Sequence, residues 1–154
     1  MRSLVALVLA ASLLVAHGET RPLSGIVERI IDGDTLVLHG IGRVRLIGVD
    51  TPETKHPQKR VEQFGRESSE FLRRLAQGQR VTIEFDHRTH DRYGRLLAYL
   101  YLPDGRSINA EIIRQGYGFA YTVYAFKRLD RYRALEREAR VAGRGLWATG
   151  DVAR

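Results

Sequence analysis

The chain has no cysteine among its 154 residues, which excludes a disulfide framework, a thiolate nucleophile and a thiolate metal ligand. The core alone must hold the fold. It also lacks a long apolar run: Leu4 to Ala16, broken only by Ser12, is shorter than the roughly 20 residues that cross a bilayer. With Arg2 before it and the small-x-small site Ala16-His17-Gly18 after it, this run reads as a secretory signal peptide over residues 1–18. A retained anchor is the minority reading. The mature chain then begins near Glu19 and is expected in the periplasm or outside the cell, without a membrane partner after cleavage. No internal repeat, low-complexity tract or His-Glu-x-x-His zinc pattern follows.

What the chain does have is basic charge. Lysine and arginine number 25 against 18 carboxylates, and loss of Arg2 with the leader takes the formal charge from +7 to about +6. That balance suits a polyanionic partner, although solubility or an arginine-rich composition produces the same number. The length fits one domain over residues 24–148, between a linker at 19–23 and a tail at 149–154.

Along that domain, Ser24 to Ile31 and Thr35 to Leu38 carry strand character around an Asp32-Gly33 turn, and a Gly-rich connection leads into Arg43 to Val49. Three antiparallel strands are expected, as a meander. Val61, Phe64, Ser68, Phe71, Leu72 and Leu75 recur at helical spacing before Gly78. Arg80 to Phe85 and Leu96 to Leu102 add two strands, separated by the polar loop Asp86 to Arg95. Asn109 is placed to cap a short helix from Ala110 to Gln115, and Leu129, Tyr132, Leu135, Ala139 and Ala142 form the stripe of a third. The pattern fits an α+β fold, mainly β: a five-stranded OB-fold barrel with three packed helices. Trp147 invites a stacking role, but at a domain end it is better read as core.

The chemistry-bearing residues gather at strand ends. The string Arg45-Leu46-Ile47-Gly48-Val49-Asp50-Thr51-Pro52-Glu53 opens with a guanidinium and closes with two carboxylates. Alternation puts Arg45 and Asp50 on opposite faces, so they meet only if the strand curves, and Pro52 stops the ladder after Asp50. A plain edge strand ending in a turn explains the string alone equally well. Asp32-Gly33-Asp34 reads first as a hairpin turn, yet it brings two more carboxylates to a neighbouring strand end, where repulsion calls for a cation. An all-oxygen donor set favours a hard ion, calcium foremost. His56, His87 and His90 read as solvated loop histidines. Asp91-Arg92-Tyr93-Gly94-Arg95 reads first as a charged loop, but paired with Arg45, Arg95 completes a two-arginine clamp suited to phosphoryl chemistry.

Taken in order, Ile31-Asp32-Gly33-Asp34-Thr35, Arg45 to Glu53 with Thr54-Lys55-His56-Pro57, Asp91 to Arg95, and Asn109 with Arg114-Gln115-Gly116 resemble the staphylococcal (micrococcal) nuclease, or thermonuclease, family. The resemblance covers about residues 24 to 148. It implies an OB barrel with three helices and Ca2+-dependent hydrolysis of DNA and RNA, single-stranded or frayed, to 3′-phosphate products by a monomer. By position it implies that Asp34, Asp50 and the Thr51 carbonyl hold Ca2+, with Asp32 behind them. Glu53 is implied as general base or water-positioning carboxylate, and Arg45 and Arg95 as the groups on the scissile phosphate. Arg92, Tyr93 and Tyr124 match nucleotide contacts, and Lys55, Lys59 and Arg60 a basic loop beside the site. Two departures stand out: the Leu38 to Arg43 connection is short, and Tyr121 and Tyr124 are spaced differently, which bears on base stacking. Two rivals remain, a non-catalytic nucleic-acid-binding module of the same fold and an OB-type oligosaccharide or protein-interaction module. The set Asp34, Arg45, Asp50, Glu53 and Arg95 discriminates against both.

Overall fold

The computed structural model describes residues 22–52 and 63–148. The leader, the tail at 149–154, and Glu53, Lys55, Lys59 and Arg60 lie outside the described residues. Strands β1 (Ser24–Asp32), β2 (Thr35–Leu38), β3 (Gly42–Leu46), β5 (Arg80–Glu84) and β6 (Leu96–Tyr101) close into a barrel in the order β1-β2-β3-β6-β5. Closure depends on β1, whose first half pairs with β5 and whose second half pairs with β2. Register shifts between Val27 and Arg29 and between Ile30 and Asp32 bend it from one partner to the other. The seam is the parallel pairing of β3 with β6, Val44 opposite Leu96 and Leu46 opposite Ala98. Inward residues such as Leu36, Leu38, Val44, Leu46, Val81 and Leu100 fill the interior, which is a packed core and no channel.

Helices α1 (Gln63–Ala76), α2 (Ile108–Arg114) and α3 (Leu129–Val141) cover the barrel, so the expected five strands and three helices are present. α1 buries Leu72 and Ala76, α2 buries Ile108, Ile112 and Ile113, and α3 buries Tyr132 and Leu135 in the same core. Trp147 is core too: it meets Phe119 edge-on at 5.4 Å and carries the Arg140 guanidinium over its ring at 4.1 Å.

Two expectations need correction. The strand expected to run from Arg43 to Val49 stops at Leu46 and resumes as β4 (Val49–Asp50), which pairs with β7 (Phe119–Ala120) outside the barrel. The cause is Gly48, held at φ +72° with no room for a side chain: a Cβ there would lie 2.5 Å from the Phe126 ring. Second, α2 starts at Ile108 and is capped by Ser107, whose hydroxyl accepts from the Ala110 amide. Asn109 is no cap. It points into the core, where its amide donates to the carbonyls of Ile47 (3.0 Å) and Ala98 (3.1 Å) and its oxygen accepts from the Leu100 amide (3.0 Å).

Candidate active site

The break at Gly48 builds the site. A continuous strand would send Arg45 and Asp50 to opposite faces, whereas the turn at Ile47 and Gly48 folds Asp50 back until its Oδ1 lies 3.5 Å from Arg45 Nη2. The same guanidinium donates through Nη1 to the Val49 carbonyl (2.7 Å) and pairs with Asp34 Oδ2 (3.0 Å). Arg45 is thereby held rigidly between two carboxylates and the backbone of the turn.

Asp34 sits on the β1–β2 hairpin, where the Asp32 carboxylate accepts from the Asp34 amide. Asp32 therefore braces the turn from behind. The hairpin packs close on its neighbours: a Cβ on Gly33 would come within 3 Å of both Ser68 and Thr51 (2.7 and 2.8 Å), so glycine there lets Asp34 reach Thr51. Asp34 Oδ2 accepts from the Thr51 amide and hydroxyl, both at 3.1 Å, and Oδ1 from the Thr35 hydroxyl at 3.0 Å. Burial pushes its pKa up to about 7, Arg45 opposing and Asp32 reinforcing the rise. A carboxylate so deprived of water is still short of positive charge. Among the described residues no three His, Cys, Asp or Glu side chains converge, so the expected acidic cluster reduces there to Asp34 and Asp50 joined through Arg45. Two carboxylates beside the threonine backbone are hard oxygen donors, and with the desolvation of Asp34 they fit a hard cation.

Arg95 reaches the same place from the residue just before β6. Its Nη1 lies 3.4 Å from the Thr35 hydroxyl, and Thr35 is the register partner of Arg45 across β2 and β3. Asp91 aims it, accepting from Arg95 Nε at 2.6 Å and from its amide at 3.0 Å. Thr35 and Asp91 were not singled out as site residues in the sequence. The four-residue spacing of Asp91 and Arg95 around a glycine was the available signal for Asp91; for Thr35, only the register reveals it.

Beside the arginines opens a cleft of about 350 Å3 that Arg45, Arg92, Tyr93, Arg95, Tyr121 and Tyr124 line. Tyr93 and Tyr124 are 68% and 62% exposed, enough to offer a ring face to a guest. The Arg92 and Arg95 guanidiniums lie 4.8 and 5.5 Å from the Tyr93 ring centroid. The structure thus brings together Arg45, Arg92, Tyr93, Arg95 and Tyr124 at one cleft, with Asp34, Asp50 and Thr51 packed around Arg45 and Asp34. His87 and His90 are exposed, as read.

The far wall of the cleft, residues 121–126, is tied down by Asp86, which accepts from the Tyr99 hydroxyl and from the amides of His87 and Lys127. Burial alone would raise the Asp86 pKa, but the Tyr99 hydroxyl and these two amides together hold it below the usual carboxylate range. A depressed folded pKa stabilises above the unfolded value near 3.9, and that stability is lost as pH falls through the folded value. Asp86→Ala should cost about 2–4 kcal/mol at neutral pH and flatten the acid limb of the melting profile. Identical acid limbs for variant and wild type would refute this role.

The chain matches the family model described as staphylococcal nuclease homologue over residues 43–149. It is 38% identical over 136 residues to a thermonuclease of Staphylococcus intermedius, covering 84% of this chain and 79% of that protein. It is 35% identical over 126 residues to a thermonuclease of Staphylococcus hyicus, covering 79% and 74% of the two chains. An uncharacterized endonuclease of Escherichia coli O157:H7 is 35% identical over 132 residues, covering 84% of this chain and 80% of that protein.

Proposed function

Since the chain belongs to the staphylococcal nuclease family, we propose that it is a secreted or periplasmic Ca2+-dependent nuclease that hydrolyses DNA and RNA to 3′-phosphate products, acting as a monomer. One observation carries the reading: Arg45 and Arg95 converge through Thr35 beside Asp34 and Asp50, at the mouth of a cleft lined by arginine and tyrosine. Two planar guanidiniums fixed by protein contacts present their remaining N–H groups to phosphate oxygens, and they stabilise the charge that builds there in the transition state. Tyr93 and Tyr124 stack the neighbouring bases. Stacking reads no sequence and no sugar, which favours single strands and frayed ends of either nucleic acid. Asp34, Asp50 and the Thr51 carbonyl hold the Ca2+, which when bound supplies Lewis-acid neutralisation of the phosphate.

Glu53, outside the described residues, orients or deprotonates the attacking water. Water oxygen bonds to phosphorus, the bond to the 5′ oxygen breaks, and a proton passes to that leaving oxygen. Lys59 and Arg60, also outside the described residues, add phosphate contacts from the basic stretch that follows Glu53. Export rests on the leader at residues 1–18 and is read from the intact mass of the exported protein.

The test is to incubate the mature domain with plasmid and with RNA, first in Ca2+ and then in EGTA. Both polymers should be degraded in Ca2+ and neither in EGTA. Binding without cleavage in Ca2+ would make this a binding module, and cleavage that survives EGTA would remove the calcium assignment.

A further inference from the structure

A second cleft, of about 440 Å3, opens at the other end of β6. Arg106 and Ser107 from the turn after β6, Arg114 from α2, and Arg128, Arg131 and Tyr132 around the start of α3 form its walls. Four guanidiniums thus face two carboxylates, Asp104 and Glu111. Each carboxylate is engaged by one neighbour, Asp104 by Arg106 at 2.8 Å and Glu111 by Arg114 at 2.6 Å, while Arg128 leans on Glu84 at 2.9 Å. Arg131 is exposed and forms no ion pair with any described residue. Under these charges lies the buried Tyr132 ring, its hydroxyl beside the Ser107 hydroxyl. A cleft lined by four guanidiniums, of which Arg131 meets no carboxylate among the described residues, is matched by a guest bearing anionic oxygen acceptors.

The two clefts share a wall. Ala125 and Phe126 line the first, Arg128 lines the second, and exposed Lys127 stands between them. From Arg95 to Tyr101 the distance is one six-residue strand, about 20 Å at roughly 3.3 Å per residue. A stacked strand rises about 3.4 Å per nucleotide, so about six nucleotides bridge the clefts, within the roughly 4–16 that an OB fold engages.

We propose that the second cleft binds a phosphodiester of the same polynucleotide strand, about six nucleotides from the scissile one, with Arg131 as its principal contact. This rests on the nuclease reading above and extends it: the enzyme grips long strands at two points and short ones at one.

Arg131→Ala and Arg131→Glu test this without disturbing the core, since Arg131 is exposed. Substrates are single-stranded oligonucleotides of about 12 and about 4 nucleotides and a mononucleotide p-nitrophenyl phosphodiester. Arg131→Ala should lower kcat/KM on the long strand about fivefold through KM, and reduce its salt slope of binding by about 1. Arg131→Glu should lower it further. The two short substrates should be cleaved as by wild type. Equal losses on long and short substrates, or no loss on the long one, would overturn the second site. Affinity for the long strand, measured by anisotropy in EGTA, needs no cleavage. If wild type cuts nothing, the nuclease reading fails, while the length-dependent loss of affinity still decides the fate of the cleft.

Discussion

Replacing Arg45 with lysine should reduce turnover on DNA and RNA by about a hundredfold or more. The reason is geometric. Arg45 spends its Nη1 on the Val49 carbonyl and Asp34 and turns Nη2 toward Asp50, which locks the plane of the guanidinium relative to the hairpin and the β3–β4 turn. A locked fork can meet two phosphate oxygens at once. Lysine brings one charge on a flexible stem, and its ammonium cannot satisfy Asp34 and Val49 while also facing the cleft. Positive charge at the site is largely kept, so substrate affinity should fall much less than turnover. That split separates loss of transition-state stabilisation from loss of simple attraction. The check is steady-state kinetics on a single-stranded oligonucleotide in Ca2+, with melting curves to confirm that the variant is folded at assay temperature. Activity within threefold of wild type, on the order of half a kcal/mol, would remove Arg45 from the transition state.

The barrel was readable because its rules are local. Ile and Val richness in Ser24 to Ile31 and strand character in Thr35 to Leu38 around Asp32-Gly33 specify a hairpin, and helical spacing up to Leu75 before Gly78 specifies α1. Two elements depended on distant partners and were not readable. β4 and β7 are two residues each, too short to announce themselves, and exist because they pair with each other. Gly48 was visible as a point where a strand could bend, but the sign of its φ was not, nor were the Phe126 and Tyr132 rings that leave no room for a side chain there. For the candidate site, motif order named Asp34, Arg45, Asp50, Thr51 and Arg95, which the fold brings side by side, while the link between the two arginines runs through Thr35 and is a matter of register. Asn109 illustrates the same limit. Asparagine before an apolar stretch is a reasonable cap by propensity, yet the neighbouring serine takes that role because the seam of the barrel has a stronger claim on the amide.

That claim makes Asn109→Ala the substitution with the largest expected effect on stability. The parallel seam between β3 and β6 leaves β3 at Leu46, and just beyond it the Ile47 carbonyl and, on β6, the Leu100 amide find their partner in one side chain from α2, which also donates to the Ala98 carbonyl already accepting from the Ile47 amide. Asn109 is fully buried, so water cannot replace it. Alanine removes three hydrogen bonds and strands the Leu100 amide in the core, at a cost of about 3–5 kcal/mol, each orphaned group costing roughly 1–3 kcal/mol. For a domain of this size the melting temperature should fall by about 10 °C or more. Asn109→Asp keeps the acceptor but loses both donors and buries a charge against two carbonyls, so it should be at least as damaging. Because Ile47 belongs to the turn that folds Asp50 back to Arg45, activity measured well below the melting point should fall as well. Arg45→Lys should do the reverse, leaving the fold largely intact while removing turnover. If Asn109→Ala melts within about 2 °C of wild type, under 1 kcal/mol by the same scaling, the α2 amide is not what joins the seam to the turn, and the rigidity of Arg45 must come from Asp34 and Val49 alone.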